Sequence, residues 1–186
     1  MKTLATSLLA MVLVALATHG LHAADSAPAP RWFEHHLEYL TADGGRWIAD
    51  NHPYRSESEP YDAYGMEWKW GLGKKTVTGR LYALDGDREI GAFWEFRVVW
   101  HPGEGRAIVR QYGSDGTIGE GSLSSVDETT VRTEQTFHSP DGSRYRAAHV
   151  NTESSSSKMT SQSYDVSDDG KENPRRKYVW HRAGKN

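Results

Sequence analysis

The chain has 186 residues, a formal net charge of −3 and no cysteine. It therefore has no disulfide, no thiolate nucleophile and no Cys-ligated zinc, and its charge gives no basic face of the kind nucleic acid requires. Beyond a short N-terminal run, no stretch is apolar enough to cross a membrane as a helix.

In chain order, Lys2, the apolar run Leu8 to Ala17 and the small residues ending at Ala23 or Ala24 have the pattern of a secretory signal peptide. Residues 1–23 are read as that peptide. The protein is then exported, periplasmic or secreted, with no integral membrane segment after cleavage. Residues 24–31, rich in Pro and Ala, are expected to form a disordered linker, and residues 32–186 a single domain. Trp32, Phe33, Leu37 and Leu40 lie at helical spacing and predict a short capping helix. A first strand follows, with Trp47 at its centre. The polar stretch Asn51 to Asp62, with Pro53 and Pro60, is long enough to be a functional loop. Nine further strands are predicted: Tyr64–Trp70, Lys75–Leu84, Glu89–His101, Arg106–Tyr112, Thr117–Val126, Thr129–His138, Ser143–Thr152, Lys158–Val166 and Arg175–Arg182.

The strongest signal in this series is its turns. Asp85-Gly86, Asp115-Gly116, Asp141-Gly142 and Asp169-Gly170 recur about every 30 residues. Asp-Gly suits the positive φ of tight hairpins, so each pair marks a chain reversal. With no helix pattern between strands, the expected fold is all-β, a closed antiparallel up-and-down meander barrel of about ten strands. Consecutive Asp-Gly turns are two strands apart, so all four fall at one end with the Asn51–Asp62 loop. The helix falls at the other. That polarity predicts a closed base and an open mouth.

Alternation assigns the faces. Met66, Trp68 and Trp70 share one side, as do Trp94, Phe96, Val98 and Trp100, giving an aromatic wall. The later strands offer Val131, Thr133, Gln135 and Phe137, then Tyr145, Ala147 and His149, then Thr160, Gln162, Tyr164 and Val166, a wall richer in hydroxyls and amides. Trp68, Trp70, Trp94, Phe96, Tyr145, His149, Gln162 and Tyr164 are therefore the candidate ligand-binding residues. Tyr54, Tyr61 and Tyr64 flank the mouth loop. Glu67, Glu95 and Arg97 alternate with the aromatics and are expected to face solvent. Arg175-Arg176-Lys177 reads as a solvated face on the last strand, and Gly119-Glu120-Gly121 as a bulge or a place of close packing.

Gly45-Arg46-Trp47, after a short helix and at the start of a meander, resembles the Gly-x-Trp signature of the lipocalin and calycin superfamily. In those families a late basic residue packs across the tryptophan at the closed end. Trp180-His181-Arg182 supplies Arg182 for that role, making Trp47 and Arg182 the barrel base. The whole chain after the signal peptide also resembles exported bacterial lipocalin-like domains of uncharacterised function. The resemblance implies a fold and a small-ligand role, and no catalytic residue.

The histidines show no metal-ligand spacing, and neither a metal nor a cofactor is expected. Ten-stranded haem-binding barrels also resemble this topology, and there His149 would be the candidate haem ligand. Their Gly-rich signature after the first tryptophan is missing, since Trp47 is followed by Ile48-Ala49-Asp50. The function expected is capture of a small apolar or amphipathic molecule. Two alternatives remain: a barrel isomerase, cyclase or hydrolase using a lumen His or carboxylate, and an interaction module with a packed core.

Overall fold

The computed structural model describes residues 27–184, so the expected signal peptide lies outside the described residues. Helix α1 spans Arg31–Thr41 and a 3-10 turn follows at Ala42–Gly44. The ten strands are β1 Arg46–Asp50, β2 Ala63–Trp70, β3 Thr76–Asp85, β4 Arg88–His101, β5 Arg106–Gly113, β6 Ile118–Ser125, β7 Thr130–His138, β8 Arg144–Ser155, β9 Lys158–Val166 and β10 Glu172–Arg182. Each pairs antiparallel with its chain neighbour, and β1 pairs with β10 to close the barrel. No strand edge remains unpaired, which is what favours closure of a long meander.

The stretch expected to be a disordered linker is ordered from Ala27 onward. Its amide donates to the Pro102 carbonyl (3.1 Å), and its carbonyl accepts from Trp100 Nε1 (2.8 Å). Arg31, also assigned to that linker, is the first residue of α1. Phe33, Leu37 and Leu40 form one buried stripe on the helix and join the barrel core.

The four Asp-Gly reversals and the Asn51–Asp62 loop lie at the mouth, and α1 lies at the base. Three of the reversals share one device. The carboxylates of Asp115, Asp141 and Asp169 accept the backbone N–H two residues on (2.9, 2.8 and 3.2 Å), and the next glycine takes a positive φ.

The base explains why the first turn carries glycine. Gly45 has φ +68°, and a Cβ there would stand 2.1 Å from the Trp68 carbonyl. The Gly45 carbonyl accepts the Trp68 amide (2.8 Å), tying the helix exit to β2. Trp47 is fully buried, and its indole donates to the Leu40 carbonyl (3.1 Å). The Arg182 guanidinium sits 4.1 Å from the Trp47 ring centre and 5.3 Å from that of Tyr39. It donates to the carbonyls of Ala42 (2.6 Å), Tyr39 (2.9 Å) and Ser156 (2.9 Å). One cation thus gathers α1, the turn after it and the β8–β9 tip. Burial holds Arg182 below the ordinary arginine range, with Asp43 opposing the shift.

Candidate functional site: the barrel lumen

Inside the barrel lies a cavity of about 580 Å³. One wall is aromatic and aliphatic: Met66, Trp68, Leu81, Trp94, Phe96 and Val98. Trp68 stacks on Phe96, with ring centres 5.3 Å apart and planes 28° apart. Gly79 gives Trp68 room, since a Cβ there would come within 2.5 Å of the indole. The opposite wall is polar: Gln111, Thr133, Gln135, His149, Asn151, Ser161 and Ser163. His36 and Leu40 of α1 form the floor.

Of the residues singled out in the sequence, Trp68, Trp94, Phe96, Tyr145, His149 and Tyr164 all border the cavity. Tyr145 does so at the rim, stacked on Phe137 (4.8 Å, 4°). Trp70 has the inward parity but is not among the lining residues. It sits at the base end of β2, packed against the core.

Gln162 requires a correction. Its amide donates to the Ser163 carbonyl (3.0 Å) and the Arg176 carbonyl (3.2 Å), outside the lumen. The reason is register: β8 sets His149 opposite Ser163 and Asn151 opposite Ser161, so Ser161 and Ser163 share the inward face. In Ser163, Ser161 and Asn151 the sequence held small polar lumen residues that the pattern left unassigned. Ser161 Oγ donates to Asn151 Oδ1.

The basic run is corrected too. The β9–β10 register shifts between Pro174 and Lys177, so β10 carries an extra residue there. The bulge turns Arg175 and Arg176 to the mouth of the cavity instead of leaving a simple solvated row. Ser163 Oγ pins it, accepting from the Arg176 amide and donating to its carbonyl, both at 3.1 Å. The Arg176 guanidinium pairs with Glu59 of the mouth loop (2.6 Å) and lies 5.4 Å from the Tyr54 ring centre. A second irregularity, between β3 and β4 near Leu81, lets Phe93 line the cavity beside Trp94.

The mouth loop is fastened at several points. Fully buried Asn51 donates to the Tyr61 carbonyl (3.1 Å) and accepts from Tyr178 Oη (2.9 Å). Tyr54 Oη bonds both backbone groups of Lys177, and Tyr64 Oη donates to Glu59 (3.4 Å). Burial, then the Glu59 charge, pushes Tyr64 up to about 12, so the mouth presents protonated phenols.

His149 has no hydrogen-bonding partner among the described residues. Burial, then the positive charge of Arg175, pushes its pKa down to about 4, so it is a neutral imidazole near neutrality. Its remaining accessible surface is in the cavity wall. Glu67 points outward, paired with Arg80 (2.8 Å) and Lys69 (2.8 Å), and Glu95 and Arg97 are exposed. The Gly119-Glu120-Gly121 stretch is a place of close packing: a Cβ on Gly121 would stand 1.8 Å from the Glu134 carbonyl, and the register runs unbroken on both sides.

Among the described residues, no three His, Asp or Glu side chains gather as a metal site, and no helix is long and apolar enough to cross a membrane. No protein-family model matches the chain, and no curated protein matches its sequence. The fold is a closed ten-stranded antiparallel barrel, compatible with the lipocalin-like type.

Proposed function

We propose that this chain is an exported, lipocalin-like barrel that reversibly captures a small, partly apolar molecule in its lumen. The observation that carries the reading is the 580 Å³ cavity itself, sealed at the base by α1 and split into an aromatic and a polar wall. A cavity of that volume lies within the range of small-molecule sites. It speaks against the packed-core module, in which side chains would fill the lumen. The aromatic wall takes the apolar part of the ligand, the polar wall fixes its functional group, and the loop of residues 51–62 covers the mouth. Burial of apolar ligand surface at about 25 cal/mol per Å² supplies several kcal/mol before ordering costs, consistent with micromolar binding. Export rests on the signal-peptide pattern of residues 1–23.

Native mass spectrometry of the protein purified from the envelope of its own cells, set against the denatured mass, tests this reading. A reproducible excess mass and a start at residue 24 or 25 support both capture and export. Soret absorbance in the same sample would identify haem on His149 instead. A bare polypeptide mass, unchanged after exposure to a lipid and metabolite extract, overturns the capture reading.

A further inference from the structure

Two histidines of α1 grip one carboxylate at the lumen floor. Glu153 continues the face of β8 that carries His149 and Asn151, and its side chain is 11 % exposed. His35 Nε2 lies 3.0 Å from its Oε2, and His36 Nδ1 lies 3.5 Å from its Oε1. The two imidazoles take different oxygens, so they clasp α1 to the barrel and share no point where a metal ion would sit. His35 is mostly in solvent, whereas His36 is buried and borders the cavity.

A carboxylate only accepts hydrogen bonds, so the hydrogen of the neutral His36 ring stands on Nδ1 and leaves a bare lone pair on Nε2. Nε2 has no partner among the described residues. The wholly covered unpaired nitrogens belong to Trp68, Gln135 and Trp180, so Nε2 keeps open surface, on a residue that lines the lumen. The neighbouring Tyr39 phenol does not compete. Burial and the Glu153 charge push it up to about 12, and it donates to the Ser155 and Lys158 carbonyls (3.0 and 2.9 Å).

An imidazole lone pair facing a cavity, with a carboxylate behind the ring, is the arrangement of a general base. The carboxylate fixes the tautomer and stabilises the imidazolium that forms when Nε2 takes a proton. His149 lacks a carboxylate partner, and burial, then the Arg175 charge, pushes it down to about 4, so it holds a proton poorly. No nucleophile is primed either. Among the described residues no hydroxyl is hydrogen-bonded to a histidine ring; Ser161 Oγ is engaged by Asn151 and Ser163 Oγ by the Arg176 backbone. The Asn151 amide, oriented by Ser161, also lines the lumen, and its Nδ2 is unpaired and uncovered. That leaves a donor on the same strand face for an oxygen on which charge develops.

We propose that His36 is a catalytic base, positioned by Glu153, that shifts a proton between carbons of a flat, enolisable carbonyl compound held in the lumen. Nε2 takes a proton from the carbon next to the carbonyl. The C–H electron pair forms the enolate double bond as the carbonyl π pair moves onto oxygen, beside Asn151. Nε2 then returns the proton to another carbon of the conjugated skeleton. The products are an isomer and the neutral ring, with no co-reactant consumed. The inference rests on the capture reading, since the base acts on a molecule held in the lumen.

The tautomer is read first, on the unaltered protein, from two-bond nitrogen–proton NMR spectra. His36 should be in the Nδ1–H form, and Glu153→Gln should move it toward Nε2–H. Nitrobenzisoxazole then serves as a flat, apolar probe of the base: removal of its acidic C–H proton breaks the N–O bond and gives a coloured nitrile-phenolate. Tryptophan quenching follows its binding and absorbance its turnover. Turnover is expected at least about a hundredfold above that of free imidazole at equal concentration. It should be lost in His36→Gln, fall at least about tenfold in Glu153→Gln and persist in His138→Gln, an exposed histidine. If His36→Gln fails to fold, the tautomer and the comparison with imidazole still decide on the unaltered protein. An Nε2–H ring there overturns the inference. A probe that binds but is turned over no faster than by imidazole, or equally fast in His36→Gln, overturns it and leaves capture standing. A probe that does not bind overturns it together with the capture of flat apolar molecules.

Discussion

At the scale of single residues, Arg182 and Phe96 show how differently two inward side chains contribute. Arg182 serves three backbone carbonyls and two aromatic faces at the base. Arg182→Met keeps much of the bulk but orphans those carbonyls, and a loss of about 3 kcal/mol or more is expected from chemical denaturation. Phe96 borders open space, whereas Phe33 of α1 is embedded in the base. Phe33→Ala should therefore cost about 3–5 kcal/mol and Phe96→Ala only about 1–2, because the latter enlarges an existing cavity. Equal losses would mean the lumen is as tightly filled as the base. His149 adds a pH dependence. Its pKa is about 4 in the folded protein against an ordinary 6.5, so the unfolded chain takes up the proton first as pH falls. Stability is complete above about pH 6.5 and declines toward pH 4, by roughly 3 kcal/mol in all. His149→Gln should flatten that decline in unfolding curves recorded at about pH 7 and about pH 4.5. A decline under about 1 kcal/mol in the parent protein would indicate a lumen wet enough to solvate the imidazolium.

At the scale of elements, the legible and illegible parts of the site separate along the strands. Alternation placed Trp68 and Phe96 on the inner wall because β2 and the β4 residues from Trp94 onward pair without slippage, and Trp94 keeps its inward side next to the irregularity at Phe93. It placed His149 and Gln135 there too, since the β7–β8 ladder runs unbroken from Thr130 to His138. It failed at β9 and β10. Gln162 is chemically the better ligand contact, yet Ser161 and Ser163 face inward, and only the register with β8 decides that. The extra residue at Arg175-Arg176 leaves no mark in a run that reads equally well as a solvated face. The same bulge creates the Arg176–Glu59 latch on the mouth loop. Both side chains are about one-third exposed, so the pair contributes under about 1 kcal/mol. Glu59→Gln should accordingly speed ligand entry and release together by about threefold in stopped-flow fluorescence, with little change in affinity. A large change in affinity would place Glu59 in direct contact with the ligand.

At the scale of the molecule, the strand count, the closure and the polarity of the barrel were all readable, because turn chemistry is local and each Asp-Gly pair marks a chain reversal with its glycine at positive φ. Of the seam, only the Trp47–Arg182 pairing was foreseen, through the resemblance; its register and length were not legible in a pattern of local turns, since it joins the two ends of the domain. It consists of Trp47 with Arg182, Ile48 with His181, and Ala49 with Trp180, the shortest ladder in the barrel. Closing it brings together residues more than a hundred positions apart, an entropic cost that local hairpins do not face. Amide exchange in the outer half of β1 should therefore run faster than in the β7–β8 ladder, even though β1 carries the most buried tryptophan. Slower exchange there would show that the Arg182 clasp locks the seam more firmly than its length suggests.

The placement of α1 has a consequence for orientation. The described chain enters at Ala27, hydrogen-bonded beside Pro102, and leaves after Arg182, where the Ala183 amide donates to the Arg46 carbonyl. Both ends thus emerge from the sealed pole. A tether attached at either end, to a bead, a surface or a fused partner, holds the protein with its opening turned outward, like a cup standing on its foot.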